Sequence, residues 1–240
     1  MAARPTIIKR FSTSEAIVNY FKKEIEEGRF LPGEKLPSER LLQKQLQISR
    51  LSLREGLARL NALGIIKVVQ GKGAFIANEI NSTSLSNVFF PYISNKTTNY
   101  GDIYELRMVI EKRTAFLAAH QRSHQDLIDL KQILVESEKA IEDANRFGEF
   151  DYLFHDQIAK AAGNIIFKKV LDVFNHHLRS FLYDHAIEAS NRRKALKSHW
   201  KIYNCIKNKD ANGAKNAIQS HIKNCKKSYE SFLHNRENKK

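Results

Sequence analysis

Apolar positions in the first eighty residues change their spacing twice. Ala16, Ile17, Tyr20, Phe21 and Ile25 recur at helical intervals behind the capping types Ser12-Thr13-Ser14-Glu15, and Gly28 stops the run. Phe30 to Pro37 carries two prolines, and proline and its preceding residue both avoid helix, so this stretch is extended. Ser38 caps a short helix through Leu46, a turn follows at Gln47-Ile48, and Ser49 opens a second helix to about Leu63. Leu53, Leu57 and Leu60 form its buried stripe, and Gly64 ends it. Beyond Gly64 the period becomes strand-like. Ile65–Val69 and Ala74–Ala77 are β-prone runs joined by the short turn Gln70-Gly71-Lys72-Gly73. Helix, helix-turn-helix and hairpin in that order predict a winged helix.

The stretch from Asn78 to Gly101 is rich in Asn, Ser and Thr, with a short apolar element at Val88-Phe89-Phe90. It predicts a linker. From Asp102 onward the pattern is helical throughout, with caps or breaks near Asp102, Ser123, Gly148, Asn164, Asn191 and Asp210, which predict six helices. Proline is absent after Pro91, as a helical bundle prefers. The expected architecture is mainly α: a winged helix-turn-helix over 1–80, a linker over 81–101 and an all-helical bundle over 102–240.

Composition narrows the function. A 240-residue chain with 42% hydrophobic residues can build a core, which excludes wholesale disorder. No uncharged apolar run approaches membrane-spanning length, and Met1 to Arg10 is polar and basic with no apolar stretch behind it, so no secretory signal is expected. Two cysteines, Cys205 and Cys225, suit a reducing cytoplasm. The net charge of +14 suits a polyanionic partner. Its distribution is uneven: 14 basic and 8 acidic side chains over 1–80, 12 and 15 over 81–191, and 14 and 3 over 192–240. A near-neutral body lies between two basic ends.

A winged helix-turn-helix offers its second helix to the DNA major groove and its wing to the backbone or minor groove. Here the first turns of that helix carry Ser49, Arg50, Ser52 and Arg54, Arg40 lies on the preceding helix, and Lys72 sits between two glycines at the hairpin tip. Arginine bonds a guanine edge through two donors, and serine bonds phosphate or base. The alternative is a small helical core with a decorated surface. Pro32 to Arg40, Ile48-Ser49-Arg50, Leu53 to Leu57 and Gly71-Lys72-Gly73 resemble the DNA-binding domain of the GntR family of bacterial transcription regulators, over roughly residues 10–77. The resemblance implies DNA contact by Arg40, Ser49, Arg50, Ser52, Arg54 and the wing at Gly71, Lys72 and Gly73. Leu51 and Ser52 stand where that family often has Thr and Pro, and Gln47 replaces its usual turn glycine.

In the helical half, Asp151 and His155 are four apart, so carboxylate and imidazole share a helix face. His199 lies ten residues before Lys209 and His221 eleven after Asp210, the expected turn between the last two helices. In an antiparallel hairpin those positions sit at one level. Three helices could thus bring Asp151, His155, His199 and His221 to one point. Such a set suits Zn²⁺, Mn²⁺, Fe²⁺ or Ni²⁺, and could leave positions open for water or an effector oxygen. Ordinary core or surface histidines are one alternative. A thiol set is another, since Cys225 follows His221 by four and Cys205 shares the helix of His199.

Glu105-Leu106-Arg107, Glu111, Ala118-Ala119, Asp151 to His155, Ala161 to Asn164, His199, Gly213-Ala214 and His221 resemble the FCD effector domain of the FadR-type branch, over roughly 100–233. The resemblance implies a divalent metal, with zinc first, on Asp151, His155, His199 and His221, in a cavity that takes a small carboxylate. It argues against the metal-free members that take acyl-CoA. It also implies that Arg107 can meet an effector carboxylate through paired hydrogen bonds. The alternative for Arg107 is a helix-surface ion pair with Glu111 at i+4. His176, His177 and His185 lie near enough in sequence to line the cavity and receive no role.

No P-loop, His-Glu-x-x-His motif, nucleophile elbow or dinucleotide fingerprint is present. The expectation is a ligand-responsive regulator, a repressor of a catabolic operon, rather than an enzyme acting on a small acid or an architectural DNA-binding protein. Its expected partner is double-stranded DNA with a near-palindromic operator, bound by a homodimer, because one module reads too few bases for operon-level specificity.

Overall fold

The computed structural model describes residues 13–78, 100–174 and 188–237. Ser12, the linker with Val88-Phe89-Phe90, and His176, His177 and His185 lie outside the described residues. The chain divides into two compact units, Met1–Leu85 and Ser86–Lys240.

In the first unit α1 (Thr13–Glu26) buries Ile17, Val18 and Phe21. Gly28 follows with φ +71°, a conformation that glycine adopts without a Cβ clash. Ser38 caps α2 (Glu39–Leu46), its hydroxyl accepting from the Leu41 amide at 3.3 Å. Gln47 makes the turn at φ 54°, the left-handed conformation that glycine would take more cheaply. Ser49 caps α3 (Arg50–Ala62), accepting from the Ser52 amide at 3.0 Å. Leu53, Gly56, Leu57 and Leu60 face inward. Gly56 has a packing reason, since a Cβ there would meet Ile17 at 2.6 Å.

Strands β1 (Ile66–Val69) and β2 (Gly73–Ile76) pair antiparallel, with Ile66 opposite Ile76 and Val69 opposite Gly73. The second strand therefore starts one residue earlier than the apolar pattern predicts. The extended segment before α2 also joins the wing: Leu36 N donates to Ala74 O at 2.8 Å, and Ile76 N to Glu34 O at 2.8 Å. This tethers the hairpin to the helix-turn-helix core of Phe21, Leu36, Leu42, Leu53, Leu60 and Ile76.

The second unit is helical: α4 (Tyr100–Gln121), α5 (His124–Lys139), α6 (Ala144–Ala161), α7 (165–174), α8 (Ala189–Lys207) and α9 (Ala211–Glu237). Six helices are present among the described residues, but α6 does not start near Gly148. Asp143 caps it, accepting from the Asn145 and Arg146 amides at 3.0 and 3.1 Å, and Gly148 is buried inside the helix. The local cap outweighs the helix cost of one glycine, about 1 kcal/mol. A capping box of Ser123 and Asp126 starts α5, and the Asn164 side chain accepts from the Ile166 and Phe167 amides at the start of α7.

Helix α4 packs against α6, α8 and α9. Its fully buried Ala115, Ala118 and Ala119 carry no bulk that would hold neighbours away. Both ends of α8 are tied down. Near its start Arg192 donates to Ile141 O at 2.5 Å, and at its end Arg122, just past α4, donates to Lys207 O at 2.9 Å. The α8–α9 turn runs through Lys209 at φ 60°, and Asp210 accepts from the Gly213 amide at 2.8 Å.

Candidate metal centre and nucleic-acid interface

Four potential ligands converge inside the bundle. Asp151 and His155 come from α6, His199 from α8 and His221 from α9, and one donor atom from each lies within 4.8 Å of every other. His221 Nε2 is 3.2 Å from His155 Nε2 and 3.3 Å from His199 Nε2, while His199 Nε2 is 3.3 Å from Asp151 Oδ1. The three imidazoles are buried and Asp151 is partly exposed.

A neutral imidazole nitrogen has either one proton or one lone pair, so His221 Nε2 cannot satisfy both histidine neighbours by hydrogen bonding. A cation satisfies all of them. Neighbouring ligands held about 2.1 Å from a tetrahedral or octahedral ion stand about 3.0–3.4 Å apart, and the three contacts above fall in that range. Burial, with the neighbouring imidazoles, pushes His199 and His221 well below the usual histidine value, so both stay neutral and ready to coordinate. The donor set fits a divalent metal.

The ring of His155 is oriented from behind. Its Nδ1 stands 2.7 Å from Glu111 Oε2, which points Nε2 at the other ligands. Phe154 stacks on His199 with ring centroids 4.4 Å apart. Arg107 holds the other Glu111 oxygen, with Nε 2.5 Å from Oε1, and both side chains are only 2% exposed. Burial alone would raise the Glu111 carboxyl, but Arg107 and His155 hold it well below the usual carboxylate range. Burial would likewise lower the Arg107 guanidinium, and Glu111 more than offsets it.

The i+4 pair of Arg107 and Glu111 therefore exists, but inside the bundle rather than on a helix surface. Glu111 takes the Nε side of the guanidinium fork. Nη1 of Arg107 is buried with no hydrogen-bond partner among the described residues. Glu111 as the brace of His155 escaped the sequence reading, although it lies one turn past Arg107 on α4. The thiols differ from one another. Cys225 Sγ is 3.6 Å from His221 Nε2 and burial pushes it up to about 12, whereas Cys205 is partly buried and packs against the core.

In the first unit the corresponding side chains are on the surface. Arg40, Ser49, Arg50, Arg54, Gly71, Lys72 and Gly73 are exposed and Ser52 is half-buried. Ser49 Oγ and Ser52 Oγ are 2.9 Å apart, so both hydroxyls serve the start of α3. Arg54 Nε donates to Glu39 Oε2 at 3.0 Å across the α2–α3 turn. Lys72 N donates to Val69 O at 3.0 Å, closing the wing tip between Gly71 at φ +72° and Gly73 at φ +105°.

A winged helix-turn-helix on a chain that also carries a helical unit with a buried ligand cluster defines a DNA-binding regulator with a sensing domain. The chain belongs to the GntR family: residues 13–76 match the bacterial regulatory proteins of the gntR family, and residues 102–224 match the FCD domain. It is similar to the HTH-type transcriptional regulator LutR of Bacillus subtilis (strain 168), 26% identical over 83% of this chain and 93% of that protein. The Exu regulon transcriptional regulator of Escherichia coli (strain K12) is 28% identical over 85% of this chain and 80% of its own. Among solved structures, Streptococcus agalactiae GntR superposes with a TM-score of 0.70 at 26% identity, covering 90% of this chain and 99% of that one. The protein is a ligand-responsive, DNA-binding transcription regulator and not an enzyme. No helix among the described residues is long and apolar enough to cross a membrane.

Proposed function

We propose that the protein is a homodimeric cytoplasmic repressor of a catabolic operon, released from a near-palindromic operator by a small carboxylate or sugar acid. Residues 1–80 bind DNA, 81–101 link, and 102–240 bind effector and dimerise. Relatives named for the Uxu operon and the Exu regulon support a metabolic target. Arg50 and Arg54 read bases, while Arg40, Ser49, Ser52, Gly71, Lys72 and Gly73 hold the DNA backbone.

Asp151, His155, His199 and His221 hold a divalent ion, Zn²⁺ before Mn²⁺, Fe²⁺ or Ni²⁺. The bound ion supplies a Lewis-acid position for an effector oxygen. The observation that carries this is the convergence of three buried imidazole nitrogens and one carboxylate that hydrogen bonding alone leaves unsatisfied. Glu111 fixes the ring of His155, and the unpartnered Nη1 of Arg107 supports a second contact to the effector. An effector changes DNA affinity only through unequal affinity for DNA-competent and DNA-incompetent arrangements. The effector site and the DNA-contacting residues lie in different units, so the effector acts by re-orienting the winged domains.

The test is His199→Ala. Elemental analysis should find the metal lost, and fluorescence anisotropy should find basal DNA binding largely kept. Release by any active member of an acetate, citrate and glucuronate panel should disappear. If the variant still releases DNA normally, or if stripping the metal leaves affinity for that compound unchanged, the metal is structural and the effector mechanism fails.

A further inference from the structure

Leu51 is the most exposed large apolar side chain among the described residues of the first unit, at 69%. It occupies the second position of α3, between Arg50 and Ser52. The inward face of α3 is made by Leu53, Gly56, Leu57 and Leu60, whereas Leu51 shares the solvent face with Arg54 and Ala58, one and two turns further on. It takes no part in the apolar core of its unit. Packing within the fold therefore does not account for a leucine at this place.

Its neighbours narrow the role. The hydroxyls of Ser49 and Ser52 bond each other and Ser49 caps the helix start, which leaves one hydroxyl proton of the pair for a phosphate oxygen. Glu39 holds Arg54 by Nε, which fixes the plane of the guanidinium and leaves its two terminal nitrogens for acceptors. The isobutyl group thus shares the exposed start of α3 with two arginines, Arg50 and Arg54. A polyanion carrying an apolar spot matches that arrangement. In the major groove of DNA one base edge has such a spot, the C5 methyl of thymine.

We propose that Leu51 selects a thymine in the operator by packing against its C5 methyl, beside the bases met by Arg50 and Arg54. Selection works in both directions. The methyl loses water against the leucine, while a cytosine, adenine or guanine edge at that place would be stripped of water by a side chain with no donor or acceptor to offer. The proposal rests on α3 being the element that enters the major groove.

The experiment uses the full chain and a duplex obtained by selecting tight binders from a random double-stranded DNA library at fixed salt. Each thymine of that duplex is replaced singly by deoxyuridine, which removes the methyl and keeps every hydrogen-bonding group. One position in each half-site should weaken binding about fourfold, the value of one buried methyl group. Cytosine there should weaken it more, and 5-methylcytosine should recover part of the loss. For Leu51→Ala the thymine-to-uracil ratio at that position should fall to about one, with the circular dichroism and thermal midpoint of the wild type. Equal binding of all uracil-substituted duplexes by wild-type protein would overturn the proposal, as would an unchanged ratio in Leu51→Ala. Arg50→Ala and Arg54→Ala separate it from its premise. If both bind the duplex like wild type, α3 is not the reading element and both ideas fall. If both lose binding while uracil stays neutral, only the role of Leu51 falls.

Discussion

Each unit ties an arginine to a glutamate, and the two pairs live in opposite environments. Arg54 and Glu39 meet at 3.0 Å with side chains 55% and 44% exposed, whereas Arg107 and Glu111 meet at 2.5 Å with both 2% exposed. In the winged unit the polar residues that matter stand on the surface of short local motifs, already solvated. In the helical unit they are buried together, and each depends on a partner from the same cluster. A charge in water can lose its partner at little cost. A buried one cannot, and that difference separates a surface built to meet a partner from a centre built to hold an ion.

The sharpest break of this comparison is Glu111→Ala against Glu39→Ala. The first leaves Arg107 charged and buried and frees the ring of His155, so it should cost about 3–5 kcal/mol. The second should cost at most about 1 kcal/mol. Urea unfolding followed by circular dichroism reads both. Similar losses would mean that burial does not distinguish the pairs.

Acid should act next most strongly, and through the helical unit. His199 and His221 titrate below the ordinary 6.5 in the folded state. Below that pH the unfolded chain binds protons that the folded chain refuses, so stability falls as pH falls. Metal-stripped protein should lose stability between about pH 6.5 and 5, with a slope approaching two protons. Glu111, held low by Arg107, adds a further loss below its ordinary 4.5. A flat profile over that range would show the two imidazoles to be as accessible as free histidine.

Gly56→Ala probes the winged unit where it is tightly packed. The added methyl meets Ile17 at 2.6 Å, so α1 and α3 must separate, at about 1–3 kcal/mol. The metal content of the protein should not change, which elemental analysis checks. The smallest effect should come from Gln47→Gly. It relieves a left-handed residue at φ 54° and should stabilise the unit by about 0.5–1 kcal/mol, read as a rise in its thermal midpoint. Destabilisation would mean that Gln47 is held by more than its backbone.

The winged unit was legible because its signals are local. Ser38 and Ser49 cap the helices that follow them, and the stripe Leu53, Leu57, Leu60 marks the inner face of α3. What escaped notice was the edge pairing of Glu34 and Leu36 with β2, since a hydrogen bond between distant backbones leaves no mark on side-chain pattern. In the helical half the spacing of Asp151 with His155, and of His199 and His221 about the Asp210 turn, already placed four donors near one level. Glu111 stands in the sequence among the residues that resemble the FCD domain and at i+4 from Arg107, and neither placement marks it as the brace of His155. The buried face of α4 contains Arg107, Glu111 and Thr114, so no run of apolar residues reveals it.

The sequence by itself determined which segments are helix and strand, where most of them start, and which face of α3 turns inward, because caps, periodicity and turn residues act within a few positions. It did not determine the start of α6, where an N-cap at Asp143 prevails over the helix-weakening Gly148. Only the tertiary structure decided that Arg107 and Glu111 are buried, that Glu111 aims His155, and that four donors from three helices stand about 3.3 Å or less from their nearest fellow. The reason is physical. Whether a charged group faces water or a partner depends on which helices pack around it, and that packing is settled by the whole core at once.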